Sequence, residues 1–107
     1  MMTERELGLL GLGSRSGALV VGTAGVRAAL KRDELALVVV ASDHSARTGD
    51  KVLRLARAKG VGTVIGPAAA QLGRRLGRPA VQTVGVRDEQ LAAGFGGVRQ
   101  QKDARRP

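Results

Sequence analysis

Apolar residues occur in short runs along the chain. In the segments between these runs, apolar residues recur at the spacing of a helix. The longest run covers residues 35–41, is rich in β-branched residues and is closed by Ser42 and Asp43. A continuous apolar run of this kind is typical of a strand that is covered on both faces. Shorter runs predict three further strands, at residues 19–21, 61–65 and 81–86.

The segments between the runs predict helices. Thr3 and Glu6 have the spacing of a capping box, so we expect the first helix to begin at Thr3. Residues 14–17 are expected to be a connector into the first strand. Pro67 is expected at the first position of a helix that ends at Gly77. The other helices are predicted at residues 24–32, at residues 47–59, and from Asp88 through Phe95.

This alternation predicts the α/β class, as a single-domain three-layer α/β/α sandwich with a roughly four-stranded mixed sheet. The chain has 107 residues, which fits one core, and the domain is expected to cover residues 1–96. From Gly96 onward the chain is rich in Gly, Gln, Arg and Lys, and residues 97–107 carry a net charge of +3. They are expected to form a basic, disordered tail.

The helix predicted at residues 24–32 follows a break at Gly22-Thr23. One of its faces is apolar, whereas Arg27, Lys31 and Arg32 give it a basic face. Backbone N–H groups at the start of a helix have no partner within the helix, and they favour anions such as phosphate. The sequence therefore predicts an anion site at the turn from strand to helix, extended by basic side chains.

The charge of the whole chain agrees with an anionic partner. The formal net charge is +9 on a protein of 11.1 kDa, which favours binding to a polyanion such as nucleic acid. No apolar run approaches the ~20 residues that a membrane span needs. No signal-peptide pattern is present and the chain has no cysteine, so a cytoplasmic location is expected. The basic face of the helix at residues 47–59 is interpreted as a solvated surface.

Enzymatic sites find little support in the sequence, and no cofactor is expected. Residues 42–45 contain Ser, Asp and His, but adjacent residues cannot converge as a hydrolase triad does, and this segment is interpreted as helix capping by Ser45 or Thr48. The glycines at residues 11–17 lack the spacing of a dinucleotide-binding loop, and no strand precedes them. His44 is the only histidine, which excludes a histidine metal cluster. The acidic pairs at residues 33–34 and 88–89 are interpreted as turn and cap residues.

Several motifs occur together in a recognisable order: Leu-Gly-Leu at residues 10–12, Gly22-Thr23, Leu-Val-Val-Val-Ala-Ser-Asp at residues 37–43, and Leu-Gly-Arg-Arg-Leu-Gly-Arg at residues 72–78. In this order and spacing the chain resembles the kink-turn-binding ribosomal protein superfamily, and most closely its small bacterial YlxQ-like branch. The resemblance covers about residues 5–95. It implies an α/β/α sandwich that binds RNA without catalysis.

The resemblance also implies which residues contact RNA. In the superfamily these are the turn from strand to helix and the loop after the Leu-Gly-x-x-Leu-Gly helix. The corresponding positions here are Gly22, Thr23, Ala24, Gly25, Ala28 and Arg32, together with Arg78, Pro79 and Ala80.

The chain departs from the superfamily at three of these positions. Relatives that bind RNA often have Asn-Glu where this chain has Ala24-Gly25, and they have Lys in place of Ala28. Those polar side chains contact the tandem G·A pairs of a kink-turn. Because the residues present here have no side-chain donors or acceptors, weakened kink-turn specificity is expected. Arg27 supplies a charge nearby, but it points about 100° away from position 28 around the helix.

Two functional hypotheses follow. The first is a non-catalytic, ribosome-associated accessory protein that binds structured RNA, either ribosomal RNA or another stable non-coding RNA. Phosphates would be contacted by Arg27, Lys31, Arg32 and Arg78 and by backbone N–H groups. The alternative is a protein-interaction module of the same fold that has lost specific RNA recognition. The ribosome or translation and transcription factors are further expected partners, and no membrane partner is expected.

Overall fold

The computed structural model describes residues 2–98, which form five helices and four strands. The predicted basic tail lies outside the described residues from position 99 onward. In chain order the elements are α1 (Glu4–Ser16), β1 (Leu19–Val21), α2 (Thr23–Lys31), β2 (Leu37–Val40), α3 (Ala46–Lys59), β3 (Gly62–Ile65), α4 (Ala69–Arg75), β4 (Thr83–Val86) and α5 (Glu89–Ala93).

The four strands form one mixed sheet in the order β1-β4-β2-β3. β2 and β3 are parallel, whereas β4 runs antiparallel to both β1 and β2. The carboxyl ends of β1, β2 and β3 therefore lie at the same edge of the sheet as the start of β4. We call this the upper edge, and the other end of the sheet the lower edge. The predicted four-stranded mixed sheet is confirmed.

β2 shows why the sheet is covered on both faces. All four of its residues are buried, and successive side chains point to opposite sides. Val38 and Val40 pack with apolar residues of α2 and α3, whereas Leu37 and Val39 belong to a second cluster that includes residues of α1 and α4. Side chains of α5 pack against that second cluster. The molecule is therefore the three-layer α/β/α sandwich that the pattern predicts.

The first helix begins as predicted. The Glu6 N–H donates to the Thr3 hydroxyl, and the Thr3 N–H donates to the Glu6 carboxylate at 2.8 Å. The other carboxylate oxygen of Glu6 accepts from the Gly96 N–H at 2.6 Å. These two backbone hydrogen bonds, chiefly the one from Gly96, lower the pKa of Glu6. One capping residue thus also ties the end of the described chain to α1.

Other boundaries differ from the prediction. Residues 14–16 continue α1 and are not a connector, and Gly17 ends the helix in the left-handed conformation with φ of 78°. Pro67 lies before α4 and is not its first residue, since the N-cap is Ala68. The Pro67 carbonyl accepts a hydrogen bond from the Ser42 N–H. β2 and β4 are shorter than their apolar runs, and α5 ends at Ala93, two residues before the buried Phe95.

Candidate nucleic-acid interface

The first residues of β4 hold the starts of two helices at the upper edge. The Gly22 N–H donates to the Thr83 carbonyl at 3.0 Å, and the hydroxyls of Thr23 and Thr83 are 3.3 Å apart. The Ser45 N–H, at the start of α3, donates to the side-chain carbonyl of Gln82 at 2.8 Å. Because Gln82 and Thr83 are neighbours in the chain, the N-termini of α2 and α3 lie side by side.

The N-terminus of α2 differs from those of the other helices between Met2 and Val98. The other four each have a side-chain oxygen that accepts from an N–H of the first turn, supplied by Thr3, Ser45, Asp43 and Asp88 for α1, α3, α4 and α5 respectively. The N-cap of α2 is Gly22, which offers no side chain, and the first turn contains no acidic residue. Within residues 2–98, the N–H groups of residues 23–25 have no acceptor.

Two glycines shape this turn. Gly22 has φ of 101° and ψ of 152°, a conformation that is essentially restricted to glycine. At Gly25, a Cβ would lie 2.9 Å from Cγ1 of Val20, so the helix approaches β1 more closely than a larger residue permits. The turn is thus a preorganised set of free N–H groups at the positive end of a helix, which is an arrangement that binds phosphate.

The side chains around the turn are mostly small. Ala24 and Ala28 are exposed and have no hydrogen-bonding side-chain atoms. Arg27 is half-buried, and its Nε is inaccessible and has no hydrogen-bond acceptor within residues 2–98. The site can therefore attract phosphate, but the side chains at positions 24, 25 and 28 cannot read base edges.

The loop at Arg78, Pro79 and Ala80 is exposed and leads into β4 at the upper edge. Ala80 precedes Thr83 by three residues, so the last residue of the loop lies within about 11 Å of the residue that holds Gly22. Gly73 of α4 supports the loop, because its carbonyl accepts from the Arg78 N–H at 2.8 Å. A Cβ at Gly73 would lie 2.8 Å from Cα of Ala80.

Lys31 and Arg32 lie elsewhere. They are at the opposite end of α2, about 13 and 15 Å along the helix axis from Gly22. Nε of Arg32 is 3.5 Å from the Glu34 carboxylate, and the Lys31 carbonyl accepts from Nζ of Lys59. The structure therefore places the turn at residues 22–25 and the loop at residues 78–80 at the upper edge, with Arg27 about 8 Å along α2 from Gly22, and it places Lys31 and Arg32 at the opposite end of the helix.

Comparison with known proteins agrees with this geometry. The family model described as "Ribosomal protein L7Ae/L30e/S12e/Gadd45 family" matches residues 7–93. The chain belongs to this family. Among solved structures, a protein of unknown function from Bacillus halodurans C is similar with a TM-score of 0.78 and 28% sequence identity, over 85% of this chain and 96% of that chain. No curated protein matches significantly.

The L7Ae/L30e/S12e/Gadd45 family comprises non-enzymatic, RNA-binding proteins of the ribosomal type. Membership confirms the superfamily that the sequence motifs indicate. Within residues 2–98, no helix is long and apolar enough to cross a membrane, and no cluster of His, Asp and Glu is suited to a metal ion. His44 hydrogen-bonds the Ala41 carbonyl at 2.7 Å, and Ser45 caps α3 as expected.

Sequence reasoning missed the positioning role of Gln82 and Thr83. Thr83 is fully buried within a strand, and its hydroxyl faces Thr23, 60 positions earlier in the chain. Only the pairing of β4 between β1 and β2 creates this contact. No local sequence signal could have indicated it.

Proposed function

We propose that this protein is a non-catalytic, ribosome-associated accessory protein of the cytoplasm, in the YlxQ-like branch, that binds structured RNA. The α2 N-terminal turn holds a phosphate through backbone N–H groups, and Arg27 and the Arg78–Ala80 loop contact the adjoining backbone. The uncapped N-terminus of α2 is the observation that carries this proposal. In the other described helices a side-chain oxygen accepts from an N–H of the first turn, whereas in α2 these donors are free for an anion.

Kink-turn specificity is weakened in this proposal. Base recognition needs side-chain donors and acceptors aimed at base edges, and Ala24, Gly25 and Ala28 provide none. We therefore expect the native protein to prefer a kink-turn hairpin over the same hairpin without its G·A pairs by less than about tenfold, or about 1.4 kcal/mol. Paired gel-shift titrations with the two RNAs measure this preference.

The double variant Ala24→Asn with Ala28→Lys sharpens that test. Both positions are exposed, so the new side chains fit without repacking. Each restored base contact should increase the preference for the kink-turn by roughly 1–3 kcal/mol, on the estimate for bidentate contacts to DNA. Gly25 is left unchanged, because a side chain there would displace Val20. Strong discrimination by the native protein would contradict the assignment of specificity to these positions.

The alternative, a protein-interaction module that has lost specific RNA recognition, is favoured by one observation. Ala24 and Ala28 form an exposed, uncharged surface on α2 at the position where RNA-binding relatives have polar side chains. Filter binding to kink-turn and ribosomal RNA fragments at low salt separates the two functions. Absence of binding to all of these RNAs would favour the interaction module.

A further inference from the structure

We infer that the outward face of α3 is a second RNA-binding surface, which contacts the phosphate backbone of a duplex stem that extends beyond the RNA held at α2. This inference rests on the proposed function. The surface consists of Arg47, Lys51 and Arg54, and we call it the α3 ridge. With five basic residues and one acidic residue, α3 has a net charge of +4, in a chain whose total is +9.

The three side chains of the α3 ridge share one side of the helix. At 100° per residue they lie within a sector of about 60°, opposite the buried residues Val52 and Ala56, and they span about 10 Å along the axis. All three are exposed. The helix therefore presents a continuous basic face to solvent and not a scatter of isolated charges.

This arrangement opposes the stability of the isolated helix. Arg47 lies in the first turn, where a positive charge is unfavourable for the helix dipole and where α3 has no acidic residue. Arg47 and Lys51 are four residues apart, and Lys51 and Arg54 are three apart. Like charges at both spacings repel each other. Asp50 offsets the charge of Arg54 only, so Arg47 and Lys51 break a local rule of helix stability, as residues of functional surfaces often do.

Basic residues at the lower edge differ from those of the α3 ridge because acidic residues pair with them. Arg32 and Arg87 both lie near Glu34, and Lys59 pairs with Asp33 at 3.1 Å. On α3 the only carboxylate is Asp50, which pairs with Arg54 at 2.6 Å. Within residues 2–98, Arg47 and Lys51 have no acidic partner, so their charges are available to a ligand.

The α3 ridge is continuous with the candidate interface. Arg47 follows the N-cap Ser45 by two residues, and Ser45 is held by Gln82 next to the residue that holds Gly22. α2 and α3 lie on the same face of the sheet and both run away from the upper edge. A duplex anchored at the α2 turn can thus continue along α3. Its backbone fits as a partner because duplex phosphates are closely spaced and are contacted without reading sequence.

The test uses two kinds of probe, a kink-turn hairpin with short stems and the same hairpin with one stem lengthened by a helical turn; each stem is lengthened in a separate RNA. The ridge variant is Arg47→Gln with Lys51→Gln. The control is Arg15→Gln with Arg74→Gln, which removes the same charge from exposed positions of α1 and α4.

The native protein should bind one of the long probes about tenfold more tightly than the short probe. The ridge variant should bind that long probe no more tightly than the short one, keep its affinity for the short probe, and show a log–log salt slope on the long probe that is flatter by about two units. The control variant should keep the tenfold preference. Thermal melting should show no loss of stability in the ridge variant, because like-charge repulsion is removed.

The outcomes separate this inference from the proposed function. Tight binding to the short probe with no increase from either longer stem overturns the α3 ridge and leaves the proposed interface intact. Equal losses of affinity in the ridge and control variants also overturn it, since binding would then follow total charge. Unchanged affinity of the ridge variant for the long probes also overturns it, since residues outside the α3 ridge would then contact the stem. Absence of binding by the native protein to every probe overturns both proposals.

Discussion

The two ends of α2 both carry positive charge but differ in what that charge can do. At the upper edge, the first turn has free N–H groups, no acidic residue and Arg27 close by. At the lower edge, Lys31 and Arg32 are exposed, but Asp33 and Glu34 follow immediately and form ion pairs with Lys59, Arg32 and Arg87. The upper end therefore attracts an anion, whereas at the lower end the charges of Lys31 and Arg32 are balanced in sequence by Asp33 and Glu34.

The helix dipole explains why the positive charge at the two ends of α2 has different consequences. A cation in the last turn stabilises a helix, so Lys31 has a structural role without any ligand. At the other end, the backbone conformation of Gly22 excludes a capping side chain, and no acidic residue in the first turn compensates for its absence. Charge close to a site in sequence is therefore a weaker guide to binding than charge that remains uncompensated in the fold.

The largest effect is expected from Gly22→Ala. The backbone conformation of Gly22 is strained for any residue with a Cβ, so the substitution should destabilise the fold by about 1–3 kcal/mol. It should also weaken RNA binding at least tenfold, because the N–H groups of residues 23–25 would change direction. Urea denaturation gives the first quantity, and filter binding to the kink-turn hairpin gives the second.

Gly60→Ala is the matched control at the lower edge. Gly60 also has a positive φ, of 71°, at the C-cap of α3, so its substitution should cost roughly 1–2 kcal/mol of stability. RNA affinity should remain unchanged at temperatures where the variant is folded. If both glycine variants lost affinity to the same degree, destabilisation alone would account for the loss, and the upper edge would have no special role.

The next largest effect is expected on the salt dependence of RNA binding, when basic residues are removed from the upper or the lower edge. Arg27→Gln with Arg78→Gln should flatten the log–log salt slope of RNA binding by about two units, one for each phosphate that these side chains no longer neutralise. Lys31→Gln with Arg32→Gln removes the same charge, but it should leave the slope nearly unchanged because these residues lie about 13–15 Å from Gly22. Salt titrations of both variants measure this contrast, and identical slopes would refute it.

The smallest effect is expected from a substitution that should stabilise the fold and weaken RNA binding. Ala24→Asp places a carboxylate in the first turn of α2, which should stabilise the fold by about 0.3–1 kcal/mol through the helix dipole. The same carboxylate occupies the anion site and should weaken RNA binding. At the lower end, Lys31→Asp should destabilise the fold by a similar amount and leave binding intact. Thermal melting and gel shifts measure both quantities, and tighter RNA binding by Ala24→Asp would contradict the anion site.

Local features of the sequence determined most of the elements. The capping box of Thr3 and Glu6, Ser45 before α3, the positive-φ Gly60 after it and Asp88 before α5 are all where local chemistry places them. Apolar periodicity likewise predicted the strands and their covering on both faces. These features depend on residues within a few positions of one another, so they can be recognised in a single sequence. The motifs at residues 37–43 and 72–78 also indicated the family.

Only the tertiary structure decided which residues form the candidate interface. The insertion of β4 between β1 and β2 places Thr83 against Gly22 and Gln82 against Ser45, and this joins two helix N-termini that are 23 positions apart. The same fold pairs Lys59 with Asp33, 26 positions away in the chain. Strand order and ion pairing depend on contacts between distant parts of the chain. Local periodicity carries no information about such contacts, because it reports only which face of an element is buried.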